Sequence, residues 1–288
     1  MPSKIRSAAI ACALAFVLSV LPAEPAFSIG GSAHSNTQGF DNCEAQSTAF
    51  YNDWISTNSP FWQTIAYFAG GNRACANTAL SPSWFNLNAA YGYAFYLTFV
   101  GKQSYCNHTA YAYTISQNTA TAFNEGYAAA GVADTAVDNF LLTGTLTIEF
   151  DLEGYTNNPT GCRAAAASFI EGWDEGLEAA GHFPSVYGSS VSSYLVDFKS
   201  ISTPPVVVRA ANVASPPNPD VNHIDGLDPS WWQHSRHKQW AVSAHTKTYG
   251  SHTLTGPGST GPALDWNCDD GLVSPNSASQ LNSPTCGN

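Results

Sequence analysis

Residues 145–155 read TLTIEFDLEGY, a strand pattern that ends in two carboxylates and a glycine. Side chains alternate between the two faces of a strand, so Thr147, Glu149, Asp151 and Glu153 share one face while Leu146, Ile148, Phe150 and Leu152 occupy the other. Packing the apolar face into a core therefore aims an acidic row the opposite way. Carboxyls two residues apart at a strand end stand about 7 Å apart by the rise per residue. That spacing suits a proton donor and a second acidic group acting on a sugar or ester bond. An acidic edge strand in an acidic protein would look the same, so the surrounding elements must decide between the two readings.

Seven other apolar runs resemble strands, at 39–41, 64–69, 94–100, 185–187, 206–210, 238–242 and 263–266, flanking the central run at 146–152. Helical signals lie between them in the first half. Ser81-Pro82 reads as an N-cap with proline at the first helical position, opening a helix that ends near Gly92. A second helix is predicted over 111–130, closed by Gly131. A third, over 162–180, puts Ala166, Phe169, Ile170, Trp173, Leu177 and Ala180 on one face and stops at Gly181.

Strict alternation of strand and helix predicts parallel pairing through crossover helices, and eight such units predict a single (β/α)8 TIM-type barrel of α/β class. Active sites in that fold sit at the C-terminal ends of the strands, which puts Asp151 and Glu153 at the mouth. Beyond Pro204 the pattern weakens. Residues 216–228 are rich in Pro, Asn and Asp, and 251–262 form a Gly/Ser/Thr/Pro loop, so the last three units are expected to be short or poorly helical.

The first 28 residues read as a secretory signal: Lys4 and Arg6, an apolar run from Ala8 to Val20, then small residues around Ala23, Ala26 and Ser28. Three segments follow from this, a signal peptide at 1–28, a barrel at 38–270 and an irregular tail at 271–288. No run reaches the roughly 18 apolar residues of a membrane span. The expectation is a secreted, extracellular monomer. Its charge is −11 over the whole sequence and −12 without the signal, where 8 Lys and Arg face 20 Asp and Glu. That balance argues against nucleic acid or an anionic membrane as partner and is compatible with polysaccharide.

Of seven cysteines, Cys12 lies in the signal, and the remaining six (Cys43, Cys75, Cys106, Cys162, Cys268 and Cys286) predict three disulfides, with all 15 pairings open. None forms a CxxC pair, so no metal site is expected, and no cofactor is expected either: no predicted strand is followed by GxGxxG or a Walker loop, and GxSxG does not occur. His234, His237, His245 and His252 read as surface imidazoles. Asn107-His108-Thr109 fits a glycosylation acceptor.

Five stretches occur in a recognisable order: GFDNC (39–43), AYFAGGNRAC (66–75), LTFVGKQSYC (97–106), IEFDLEGY (148–155), and KQW (238–240) followed by LDWN (264–267). In these the chain resembles the domain of unknown function 1906 family, also called the Rv2525c-like, glycoside-hydrolase-like domain, a relative of the family 25 lysozymes. The resemblance spans roughly Gln38 to Asp270. It implies a TIM-type barrel with a sugar-binding groove at the mouth. It also implies that Glu153 corresponds to the general acid of those lysozymes and Asp151 to its acidic partner, while Asp41 ends the first strand where they too carry an aspartate. Asp265, on the eighth strand, would join the cluster when the barrel closes. Family 25 lysozymes typically carry another aspartate two residues after the first, and here that position is Cys43.

The expected catalytic set is thus Glu153, Asp151, Asp41 and Asp265. Burial near Tyr155 and repulsion from Asp151 would raise the pKa of Glu153 and keep it protonated as the acid. An N-acetyl group on the sugar could act as nucleophile, with Asp151 orienting it. Aromatic faces stack on sugars, and Tyr155, Tyr67, Tyr187, Trp240 and Trp266 are the expected groove residues. The expected substrate is an N-acetylated, peptidoglycan-type glycan. Three alternatives stand beside this. The carboxylates could be tied up by Arg73, Lys102 or Arg209; the groove could bind glycan without cleaving it; or the 251–262 loop could plug the mouth of a purely structural protein.

Overall fold

The computed structural model describes residues 38–56, 61–157, 160–233, 235–242, 247–249, 252–254 and 265–269. The signal segment, the 251–262 loop apart from 252–254, His234, His245, Cys286 and the tail lie outside them.

Eight strands close into a barrel. They are β1 (Gln38–Asp41), β2 (Phe61–Ala69), β3 (Ala94–Phe99), β4 (Thr147–Asp151), β5 (Phe183–Ser189), β6 (Val207–Ala211), β7 (Arg236–Val242) and, after a small antiparallel hairpin of β8 (Lys247–Tyr249) and β9 (His252–Leu254), β10 (Asp265–Asp269). Helices α1 (Thr48–Ser56), α2 (Pro82–Ala90), α3 (Thr119–Asn139) and α4 (Cys162–Ala180) cross between the first five strands. Among the described residues, the later connections carry a 3-10 turn, Leu195–Lys199, and the hairpin, with no α-helix, as the weakening pattern after Pro204 predicts.

One strand departs from the parallel expectation. Strands β1 to β7 pair in parallel, but β10 runs antiparallel to both β7 and β1. Parallel neighbours need a crossover, whereas antiparallel neighbours can be joined at one end. Because β7 and β10 are antiparallel neighbours, the end of β7 and the start of β10 lie at the same end of the barrel. Asp265 therefore reaches the mouth at the start of its strand, not at the end.

Helix ends follow local chemistry. Ser81 Oγ accepts from the Trp84 amide with Pro82 next in line, and Gly181 caps α4 at φ +85°. Helix α3 differs from the sequence reading: it starts at the Asn118 cap, whose Oδ1 accepts from the Thr121 amide, and runs through Gly131 to Asn139. A mid-helix glycine costs about 1 kcal/mol. Burial of Ala130, Ala133 and Val137 outweighs it. Helices α3 and α4 touch closely, since a Cβ on Gly126 would lie 1.9 Å from the Phe169 carbonyl oxygen and one on Gly172 would lie 2.1 Å from that of Phe123. Ala180, expected on the buried face of α4, is exposed.

The strand alternation divides the core in two. Outward residues are apolar: Phe150 packs its ring 4.9 Å from Phe169 and 5.2 Å from Trp173. Inward residues are polar, so the lumen is a hydrogen-bonded core rather than an oily one. Tyr96 and His237 bond each other there at 2.7 Å, which corrects the surface reading of His237, fully buried on β7. Disulfide Cys43–Cys75 ties the loop after β1 to the loop after β2, and Cys106–Cys162 ties the loop after β3 to the start of α4. Cys268 is disulfide-bonded as well.

Candidate active site

A cavity of about 380 Å³ opens at the C-terminal ends of the parallel strands. Its wall includes Asp41, Asp151, Glu153 and Asp265, the four carboxylates expected from the sequence, together with Tyr67 and Tyr111. They converge because each occupies the inward register of β1, the end of β4 or the start of β10. Glu153 lies two residues beyond the last paired residue of β4, in a segment kept extended in part by the Leu152 amide, which donates to the Tyr187 carbonyl at 3.0 Å.

Below the cavity floor, Arg209 organises a second acidic group. This buried guanidinium on β6 donates from Nε and Nη2 to Glu149 at 2.8–3.1 Å and from Nη1 to Asp41 at 3.1 Å, and it lies 4.1 Å over the Tyr187 ring. Burial alone would pull the guanidinium pKa down; the Glu149 and Asp41 charges outweigh it and push it well above its usual value. Glu149 also accepts from Thr98 at 2.8 Å. Asp41 receives three further donors: Tyr67 hydroxyl at 3.2 Å, Gln239 Nε2 at 3.3 Å and Asn267 Nδ2 at 2.8 Å. Both of its oxygens thus have donors, and it shares the Arg209 cation with Glu149.

Asp151 and Glu153 stand differently. Asp151 is only 5 % exposed, yet its Oδ1 has no hydrogen-bond partner. Burial, and then the neighbouring Glu153 charge, push its carboxyl well above the usual range, with Arg209 opposing them. Glu153 is half-buried. Its carboxyl is also raised, first by burial, with Arg209 opposing and Asp41 adding to the rise. A carboxyl pair of this kind holds a proton to higher pH than a solvated acid, the state a general acid needs.

Of the aromatic residues expected in the groove, Tyr67 lines it and Tyr187 faces the lumen, its hydroxyl donating to Gln239 Oε1 at 2.8 Å. Three stand elsewhere. Trp266 lies between inward-facing Asp265 and Asn267, and Trp240 follows inward-facing Gln239, so alternation sends both indoles outward into the apolar core. Tyr155 leaves the extended path: its amide donates to the Ser192 carbonyl, and its buried ring packs on Tyr194 at 5.2 Å.

Tyr111 was not among the expected residues. It lines the cavity from the loop after β3, and burial, then Glu153 and Asp151, raise its phenol pKa. The run KQSYCNHTAYAYT reads locally as the approach to a helix, which conceals it. Of the three cations that could have tied up the acidic pair, Arg73 donates to the Gly70, Tyr67 and Phe68 carbonyls and Lys102 pairs with Glu125 at 2.8 Å. Only Arg209 reaches the carboxylates, and it takes Asp41 and Glu149. Asn107 of the acceptor triplet spends its Nδ2 on the Gly154 carbonyl at 2.9 Å. Among the described residues no group of three or more His, Cys, Asp or Glu is arranged to hold a metal ion, and no helix is long and apolar enough to cross a membrane.

Comparison with known proteins bears on this site. The family model described as "Rv2525c-like, glycoside hydrolase-like domain" matches residues 53–261. A search of curated proteins found no match. A 1.07 Å crystal structure of an uncharacterized B. stearothermophilus protein is similar with a TM-score of 0.50 and 13% identity, covering 81% of this chain and 96% of that one. At that identity the likeness concerns the fold alone.

Proposed function

The chain belongs to the Rv2525c-like, glycoside hydrolase-like domain family, and from that premise we propose that it is a secreted glycosidase acting on an N-acetylated cell-wall glycan of peptidoglycan type. The observation that carries the reading is the Asp151–Glu153 pair, raised in pKa and lining the cavity, while Asp41 and Glu149 beside it are paired with Arg209.

Glu153, the more exposed of the two, donates its proton to the leaving glycosidic oxygen. Asp151 lines the same cavity, and its carboxyl is suited to steady positive charge at the anomeric carbon or to orient the substrate's N-acetyl group as nucleophile. Asp41 and Asp265 border the same space, and the Tyr67 and Tyr111 rings give sugar faces an aromatic wall. Export is supported by the leader-like first 28 residues and by the disulfides, which persist in oxidising compartments.

A second reading, glycan binding without cleavage, is favoured by Cys43. That residue stands where family 25 lysozymes carry an aspartate, and its disulfide with Cys75 forms part of the cavity wall. Incubating the mature protein and a Glu153→Gln variant with peptidoglycan and chitin-type oligosaccharides separates the two. The glycosidase releases new reducing ends, and the variant loses about 100-fold or more of that rate. If neither releases ends while both retain glycan, the binding reading stands.

A further inference from the structure

Glu153 presents a positional problem. Ladder pairing of β4 stops at Asp151 on the β5 side and already at Phe150 on the β3 side, so Glu153 lies beyond the ladder that β3 provides. A single buried side chain extends it. Gln103, in the loop after β3 and fully buried, donates from Nε2 to the Asp151 carbonyl at 2.7 Å and accepts at Oε1 from the Glu153 amide at 2.8 Å. These are the two bonds a parallel strand would have made to residues i and i+2. The orientation of the amide is fixed by its partners, because a carbonyl can only accept and an amide N–H can only donate. The backbone of Gln103 is held in turn, its amide donating to the Tyr113 carbonyl at 3.0 Å and its carbonyl accepting from the Ile115 amide at 2.8 Å. That bridge fixes the strand of loop that carries Tyr111 to the cavity.

We propose that Gln103 is the positioning residue of the site, its carboxamide standing in for a missing strand so that Glu153 and Tyr111 face the same cavity. Gln103 touches no cavity space itself, and its effect passes through the backbone of residues 151–153 and 113–115. The proposal rests on the glycosidase reading for its kinetic readout but not for its structural one.

Two substitutions test it. Gln103→Met keeps the length and removes both bonds; kcat is expected to fall about 100-fold, the scale of an ångström-sized misplacement, with KM changing much less. Gln103→Glu keeps both bonds only while protonated, since an ionised carboxylate cannot donate to the Asp151 carbonyl. Its kcat relative to wild type is expected to be near unity at acid pH and to fall about tenfold or more as pH rises through the new carboxyl. A residue that serves only to hold the fold would follow the folded fraction instead, so circular dichroism is recorded at every pH. Wild-type kcat in Gln103→Met, or losses that track unfolding alone, overturn the proposal. If the wild type cleaves no glycan, the glycosidase reading fails by itself, and a crystal structure of Gln103→Met decides: a Glu153 displaced from the cavity supports the proposal, and an unchanged 151–153 segment overturns it.

Discussion

In the middle of the barrel, Glu149 and Asp41 receive a guanidinium, a hydroxyl from Thr98 or Tyr67 and, for Asp41, two carboxamides. At the rim, Asp151 is nearly as buried but has an oxygen with no donor, and Glu153 shares its surroundings. The residue types are the same in both places, and one β-strand contributes to both. What separates them is how many donors reach each carboxylate. The centre is a satisfied ion-pair network that fills the lumen, while the rim is left under-satisfied and opens on a cavity. Burial without donors does not by itself mark a site, since Asp174 on α4 is equally buried, lacks partners on both oxygens and lines no cavity described above.

The comparison can be broken most forcefully at the centre. Arg209→Met leaves two buried carboxylates without their cation, and removing one side of such a network costs about 3–5 kcal/mol; urea unfolding is expected to show a loss of that size. A loss below about 1 kcal/mol would mean that the centre is no more committed to the fold than the rim.

The rim responds in the opposite direction. Asp151→Asn is expected to abolish glycan cleavage while raising stability at neutral pH by roughly 1 kcal/mol, the common exchange between activity and stability at strained sites. The sign follows from the raised pKa. Because folded Asp151 holds its proton more tightly than the unfolded chain, its contribution to stability is greatest below the ordinary carboxylate range and fades as pH rises through the folded value. The gain in Asp151→Asn should therefore grow with pH, which thermal melts at several pH values would record.

Particular residues show what the sequence made legible. The 145–155 alternation located β4 and its acidic row because period 2 survives into the fold unchanged. Arg209 was also readable in outline: a cation within VVVRAA must find carboxylates if its strand is buried. The direction of β10 was not, because alternation is the same read in either sense. Asp265 and Trp266 are adjacent and cannot both face the lumen; assigning both to the groove set the attraction of a large aromatic against the alternation that had placed the carboxylates. Tyr111 and Gln103 owe their positions to a bridge between two parts of one loop, a tertiary event with no periodic signature. Helix α3 ran past Gly131 because its packing on α4 outweighs the local cost.

The central claim is that the rim pair keeps a proton where ordinary carboxyls have lost theirs. Carbon-13 NMR titration of the side-chain carboxyls of the folded wild-type protein tests it most directly. The account predicts that Asp151 and Glu153 titrate above the ordinary range of about 4, with Asp151 displaced further. Both carboxyls titrating near 4, alongside the exposed acids, would contradict it.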